Sequence, residues 1–312
     1  MKNILLLICI TSLFIWGCDN NMLTPEPTSD PAEVTDLNTS LIQGTGSFTF
    51  TSYAPLADKP MEVFYHIPTQ ANSLTPILFV FHGSDRNGNS TRTALIDEAN
   101  ALNFIVIAPQ YSDQYYPGGD VFNLGYIFID GDNPSVSTLN NEDIWSFSSI
   151  EPLFDLVKQR IGSDVSSYDM FGFSAGAQFV HRYLIFKPQA RINKSVAASS
   201  GWYTMLDNTI TFPYGTEASP AENESHNALL AKEVFILIGE ADKDENSAGL
   251  RHNSIVDEQG LNRYDRAQYF YSNAQSLAVS ESTSFNWQYQ SVPNVAHDYK
   301  AISAAAAILL YQ

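Results

Sequence analysis

The sequence predicts a three-layer α/β domain, a mostly parallel central sheet flanked by helices on both faces. Three observations predict it. Strand-like and helix-like stretches alternate from about residue 46 to the end of the chain. Several strand-like stretches, such as Ile77-Leu78-Phe79-Val80-Phe81, are unbroken apolar runs, the pattern of strands buried on both faces of a parallel sheet. The helix-like stretches instead repeat apolar residues every three or four positions.

Taken in order, residues 46–53 alternate Phe48 and Phe50 with polar residues and read as a half-buried strand. Residues 61–67 form a second strand, stopped by Pro68, and 76–81 a third that runs into His82-Gly83. Residues 91–102 read as one helix and 104–108 as a buried strand ending at Pro109. The stretch 110–141 is irregular and rich in Tyr, Gly, Asp and Asn. Ile144, Phe147, Ile150, Phe154, Val157 and Ile161 space out one amphipathic helix over 142–161. A strand at 168–173, a helix at 175–186 and a strand of small residues at 195–199 follow. Residues 233–238 form a buried strand, 261–278 a helix, 285–292 an alternating strand and 301–311 a closing helix.

Composition bounds the partners. Among 312 residues there are 16 Lys and Arg against 34 Asp and Glu, a formal charge of −18. Nucleic acid binding needs clustered basic residues, so this balance argues against it, and it disfavours polyanionic substrates unless a local basic site overrides the global field. The two cysteines, Cys9 and Cys18, both lie at the N-terminus. The domain therefore has no thiol for a disulfide, a metal site or a nucleophile. Asp130-Gly131-Asp132-Asn133 lacks the further ligands of a calcium loop and reads as a turn. No metal or organic cofactor is implied.

The N-terminus reads as an export signal. Met1-Lys2-Asn3 precedes an apolar run over 4–16, shorter than the roughly 20 residues a membrane helix needs. Ile15-Trp16-Gly17-Cys18 resembles a bacterial lipobox, whose last residue is lipidated and becomes the mature N-terminus, although Trp16 departs from the usual small residue. The expected organisation is a lipoprotein signal peptide over 1–17, a lipidated Cys18 and Pro-rich tether over 18–40, and one folded α/β domain over 41–312. The expected location is the cell envelope, membrane-anchored outside the cytoplasm.

Chemistry in a parallel sheet lies beyond the carboxyl ends of the strands. Gly172-Phe173-Ser174-Ala175-Gly176 follows one strand and opens a helix, the setting of a nucleophile elbow. The other reading of Ser174 is a helix N-cap in a tight turn. In an elbow fold the base comes last in the chain, after the final strand. His297, in Pro293-Asn294-Val295-Ala296-His297, is the one histidine so placed. His66, His181, His226 and His252 lie elsewhere, His252 as a candidate substrate contact. The acid is expected after the preceding strand, where Gly239-Glu240-Ala241-Asp242 favours Asp242 over its competitors Asp244 and Glu240. The oxyanion donors are expected to be the N–H groups of Ala175 and of Ser84, in the His82-Gly83-Ser84 loop that His82 braces. Trp202 and Tyr203 after the strand at 195–199, Arg86 in the polar loop after Ser84, and Trp145 beside the irregular segment are candidate substrate contacts, as are Tyr111, Tyr115 and Tyr116.

With these residues in place the chain resembles an α/β-hydrolase, and within that superfamily the poly(3-hydroxybutyrate) depolymerase and feruloyl-esterase-like branch of secreted serine esterases. The most specific stretches are 79–87 (FVFHGSDRN), 171–182 (FGFSAGAQFVHR) and 197–203 (AASSGWY). The resemblance implies ester hydrolysis by a Ser-Asp-His triad on Ser174, Asp242 and His297. Ala296 stands where many relatives carry Gly, and the disulfides and polymer-binding domain of many secreted depolymerases are lacking. The expected function is a lipid-anchored serine hydrolase cleaving carboxylic esters (acylated glycan, feruloyl-type or hydroxyalkanoate) through an acyl-enzyme. The alternatives are a serine peptidase on the same fold and a non-catalytic binding lipoprotein.

Overall fold

The computed structural model describes residues 41–312. The expected signal peptide, lipidated Cys18 and tether lie outside the described residues. Eight strands form one sheet: β1 (Gly44–Phe50), β2 (Met61–Ile67), β3 (Ile77–Phe81), β4 (Ile105–Gln110), β5 (Tyr168–Phe173), β6 (Ile192–Ala198), β7 (Glu233–Gly239) and β8 (Trp287–Val292). Their order across the sheet is β1-β2-β4-β3-β5-β6-β7-β8. β1 and β2 pair antiparallel, as do β2 and β4, and every other pair is parallel. The helices are α1 (Gly88–Thr93), α2 (Ile96–Leu102), α3 (Gly118–Val121), α4 (Ile150–Ile161), α5 (Ala175–Phe186), α6 (Asn227–Leu230), α7 (Arg263–Ser280) and α8 (Tyr299–Tyr311).

The three layers follow from side-chain alternation in the central strands. In β3, Leu78 and Val80 enter a core shared with Leu95, Ala99 of α2 and Ile302, Ala306 and Leu310 of α8. Ile77, Phe79 and Phe81 point to the other face, where Phe154 of α4, Phe179 of α5 and Phe270 of α7 pack. All five β3 residues are buried, which accounts for the unbroken apolar run. Phe179 anchors the second core: its ring stacks on Phe81 at 4.5 Å and meets Phe147 edge-on at 4.8 Å.

Two elements differ from the sequence expectation. The helix expected at 91–102 is two helices. The Asn87 side chain caps the first by accepting from Ser90 N–H at 2.8 Å, so it starts earlier than the apolar pattern suggests. The chain then turns at Leu95, and the break lets Leu95 and Ala99 both reach the sheet with no exposure. The helix expected at 142–161 begins only at Ile150. Trp145 is extended (φ −62°, ψ 141°) and separates two short 3-10 turns that precede α4. Its buried indole donates to the Asn140 carbonyl at 3.0 Å, which fixes that break.

Two buried histidines are locked in one tautomer. Tyr111 N–H donates to Nε2 of His82 at 3.0 Å, so Nδ1–H of His82 donates to the Gly83 carbonyl at 2.9 Å. Thr204 N–H donates to Nε2 of His181 at 3.0 Å, and its Nδ1–H donates to Ala177 carbonyl at 2.9 Å. Burial disfavours the charged rings: His82 is lowered to about 4 and His181 well below the usual imidazole range. Between pH 6.5 and 4 the unfolded chain takes up the His82 proton and the folded chain does not. The stability that the neutral His82 ring confers is thus complete above pH 6.5 and is lost as pH falls toward 4, and His181 acts in the same direction. Imidazole ¹⁵N spectra of the folded protein should show both rings neutral, with Nδ1 protonated, down to pH 5. A ring that titrates between pH 7 and 6 would contradict this assignment.

Candidate active site

Ser174 sits between β5 and α5 with φ 56° and ψ −115°, a conformation L-residues rarely adopt. The flanking glycines make that turn possible. A Cβ on Gly172 would lie 2.1 Å from the Gly176 carbonyl oxygen, and one on Gly176 would lie 2.1 Å from the Phe81 carbonyl oxygen. The turn is pinned from the sheet as well, since Ser174 N–H donates to Ala198 carbonyl at 2.9 Å. Ala175 is the first residue of α5, so its N–H has no partner within the helix and stays available at the positive end of the helix dipole.

The carboxylate that meets His297 is Asp242. Nδ1–H of His297 donates to Asp242 Oδ2 at 2.7 Å. Asp242 is 3% exposed on its side chain and His297 29%, so the acid is buried and the imidazole reaches the cleft. The competitors are engaged elsewhere: Asp244 Oδ1 accepts from Asn246 N–H and Glu240 Oε1 from the Ser291 hydroxyl. With Nδ1 committed to Asp242, Nε2 is the nitrogen free to take a proton. His297 and Ser174 line the same cleft, and the His297 ring rests 4.4 Å from the Phe173 ring.

A second close approach joins the loops that carry Asp242 and His297. A Cβ on Gly239 would stand 2.3 Å from the Val295 carbonyl oxygen. With glycine there, Ala241 N–H donates to Val295 carbonyl at 2.8 Å and Glu240 N–H to Val292 carbonyl at 3.0 Å. Asp242 and His297, 55 residues apart, are thereby held by backbone contacts between adjacent strand ends.

Two clefts flank Ser174. One, of about 240 Å³, is lined by His297, Asp85, Ser90, Thr91, Phe173 and Tyr299. The other, of about 260 Å³, is lined by Asn123, Gln178, Trp202, Arg251 and Arg263 with Asp120 and Asp132. Ser84 and Ser174 border both. A larger depression of about 520 Å³ lies at the Phe186 end of α5, the far end from Ser174.

The aromatic and basic substrate contacts expected from sequence divide accordingly. Trp202 lines the second cleft, with Arg182 4.1 Å from its ring centroid and Arg251 5.0 Å. Trp145 lines the distant depression instead, so it has no access to Ser174. Tyr203 has no exposure: its ring stacks on Phe270 at 4.3 Å, and its backbone is clasped by the Gln259 amide. Arg86 is a brace. Its guanidinium donates to the carbonyls of Tyr111, Tyr116 and Gly118 and pairs with Asp113 at 3.2 Å. Tyr111 and Tyr116 are buried packing residues. His252 is held by Asp257 and the Glu245 carbonyl. Asp130 accepts from Asp132 N–H and the Asn133 amide, a turn as expected.

One residue was missed. Arg263, on the first turn of α7, lies 3.8 Å from Asp242 Oδ1 with 5% side-chain exposure and donates to Ser247 Oγ at 2.8 Å. It places a positive charge behind the carboxylate that holds His297. Burial pushes its guanidinium down from the usual range, and Asp242 opposes that shift. The usable signal was positional: α7 follows β7, at the carboxyl end of the sheet.

No family model matches this chain, and no curated protein does. Solved structures do. Poly(aspartic acid) hydrolase-1 from Sphingomonas sp. KT-1 is 38% identical over 87% of this chain and 100% of its own, with a TM-score of 0.82. A poly(3-hydroxybutyrate) depolymerase from Bordetella parapertussis is 28% identical over 86% of this chain and 91% of its own, with a TM-score of 0.79. An S-formylglutathione hydrolase from Agrobacterium tumefaciens, 16% identical over 89% of this chain and 96% of its own, shares the fold at a TM-score of 0.55. The chain belongs to the α/β-hydrolase family of serine hydrolases represented by the first of these. It is a hydrolase of the esterase and depolymerase type.

The Gly239 contact makes a specific demand. Gly239→Ala should push the 293–297 loop away from the Asp242 loop while leaving the sheet intact. A displacement near 1 Å costs about 100-fold in turnover. Ester turnover and circular dichroism check this together, and an alanine variant with parental turnover would show that the contact is dispensable.

Proposed function

We propose that the protein is an exported, lipid-anchored serine hydrolase that cleaves carboxylic esters through an acyl-enzyme. The observation that carries this is the 2.7 Å pairing of His297 Nδ1 with buried Asp242, at a cleft that also holds the strained Ser174. Ser174 Oγ attacks the ester carbonyl while Nε2 of His297 takes its proton. The Asp242 carboxylate holds the imidazole in the required tautomer and stabilises the imidazolium, with Arg263 behind it. The N–H groups of Ala175 and Ser84 receive the developing oxyanion. His297 then gives its proton to the leaving oxygen, and water attacks the acyl-enzyme by the same route in reverse.

A second reading, hydrolysis of an amide in a polyanionic chain, draws on the 38% identity to poly(aspartic acid) hydrolase-1 and on the two arginines of the second cleft. Those arginines already have carboxylate partners, Arg251 in Asp132 at 2.6 Å and Arg263 in Asp242. With a net charge of −18 around them, the ester reading is preferred.

The test uses short-chain p-nitrophenyl esters and poly(aspartic acid) with the parent and its Ser174→Ala variant. Ester turnover should fall by roughly 10⁴ to 10⁶ in the variant. Equal turnover in both would remove Ser174 as nucleophile, and cleavage of poly(aspartic acid) without ester turnover would favour the second reading. The anchor has its own test. Metabolic labelling with palmitate should mark the parent in the membrane fraction, and Cys18→Ser should abolish the label and release the protein. A labelled Cys18→Ser variant would place the lipid elsewhere.

A further inference from the structure

The two clefts beside Ser174 differ in charge, and their chemistry assigns them different halves of the substrate. His297 must return its proton to the departing oxygen, so the leaving group lies on the side that His297 lines. That is the cleft of Asp85, Phe173 and Tyr299. The acyl group takes the other cleft, with Gln178, Trp202 and the arginines.

The leaving-group cleft contains no Lys or Arg, and its one carboxylate is that of Asp85. A methyl group placed on Gly83 would lie 3.6 Å from Asp85 Oδ1 and 3.9 Å from Ser174 Cβ, so the carboxylate and the serine are neighbours of the same glycine. Among the described residues no group forms a hydrogen bond or ion pair with the Asp85 side chain. The adjacent Arg86 turns away from it, to Asp113 and three carbonyls. Phe173 and Tyr299 supply aromatic rings to the same cleft, 5.4 Å apart and edge to face. A lone carboxylate beside aromatic rings is the donor set that attracts an ammonium group, by charge and by cation–π contact.

We propose that Asp85 is a specificity-determining residue that selects esters whose alcohol carries an ammonium group. This rests on the serine-hydrolase reading above. In the reaction the ester C–O bond breaks, the amino alcohol leaves with the proton from His297, and the acyl group stays on Ser174 Oγ until water releases it as the acid.

The experiment uses the full chain and two methylphosphonate thioesters that label a reactive serine. One carries a thiocholine leaving group, and the other its neutral 3,3-dimethylbutanethiol isostere. Ser174 Oγ forms a bond to phosphorus as the thiol leaves, and the adduct is followed by mass spectrometry. With each rate divided by the same probe's rate with hydroxide in solution, which removes the difference between the two leaving thiols, the cationic probe should label the parent roughly threefold faster at low salt, the effect of one charge about 6 Å away in a largely aqueous cleft. High salt should shrink that ratio, and Asp85→Asn should lower it by about the same threefold. Equal normalised rates in the parent, or a normalised ratio unchanged in Asp85→Asn, would overturn the assignment while leaving Ser174 as nucleophile. If neither probe labels Ser174, the serine-hydrolase reading falls and this one falls with it.

Discussion

The active end of the molecule depends on backbone packed against backbone where β3, β5 and α5 meet. Gly176 brings the first turn of α5 onto the Phe81 carbonyl at the end of β3, and Gly172 brings β5 onto that same turn. The approach is too close for any Cβ. It forces Ser174 into its positive-φ conformation, and the cost is met by the helix behind it, which is buried from Gly176 to Phe186. The strand order reverses at this place: β3 connects to β4 on one side, and β5 lies on the other. Ser84 follows β3, and Ser174 and Ala175 follow β5, so the nucleophile and the two oxyanion candidates border the crevice that such a reversal opens.

The loops above the sheet are long, and no cysteine lies in the described residues to fasten them. Arginine does this work. Arg86 ties the loop after β3 to the 111–118 segment through three carbonyls. Arg182, fully buried, bonds Thr204 and the Asn123 carbonyl, and Arg266 bonds the carbonyls of Gly201 and Gly260. A guanidinium fork has five donors in fixed directions, so one side chain satisfies several loop carbonyls where a lysine ammonium would not hold them in register.

Much of this was legible in sequence because it is local. Strand runs such as 77–81, the elbow glycines and the order of Ser174, Asp242 and His297 follow from sterics and chain order, which a linear pattern retains. The fates of Arg86, Trp145 and Tyr203 were not legible. All three lie in or beside loops rich in polar and aromatic residues, where composition is the same for a substrate contact and a packed anchor. Only the tertiary neighbours decide: Phe270 takes the Tyr203 ring, and three carbonyls take the Arg86 guanidinium. Arg263 was hidden for the same reason, since nothing in its helix distinguishes it from Arg266 until Asp242 is seen beside it.

Preorganisation explains why the Asp242 and His297 loops come from neighbouring strands. β7 and β8 run parallel in register from Val234 and Trp287 to Gly239 and Val292, so both loops leave the sheet at the same height. The ladder then continues beyond the strands through Glu240 and Ala241 to Val292 and Val295. Asp242 therefore arrives at His297 by extension of sheet geometry, without a flexible approach, and its second oxygen faces a buried guanidinium rather than water. In the proposed mechanism a carboxylate so placed needs little reorganisation when the imidazole becomes charged, and that readiness is what it would contribute to the rate.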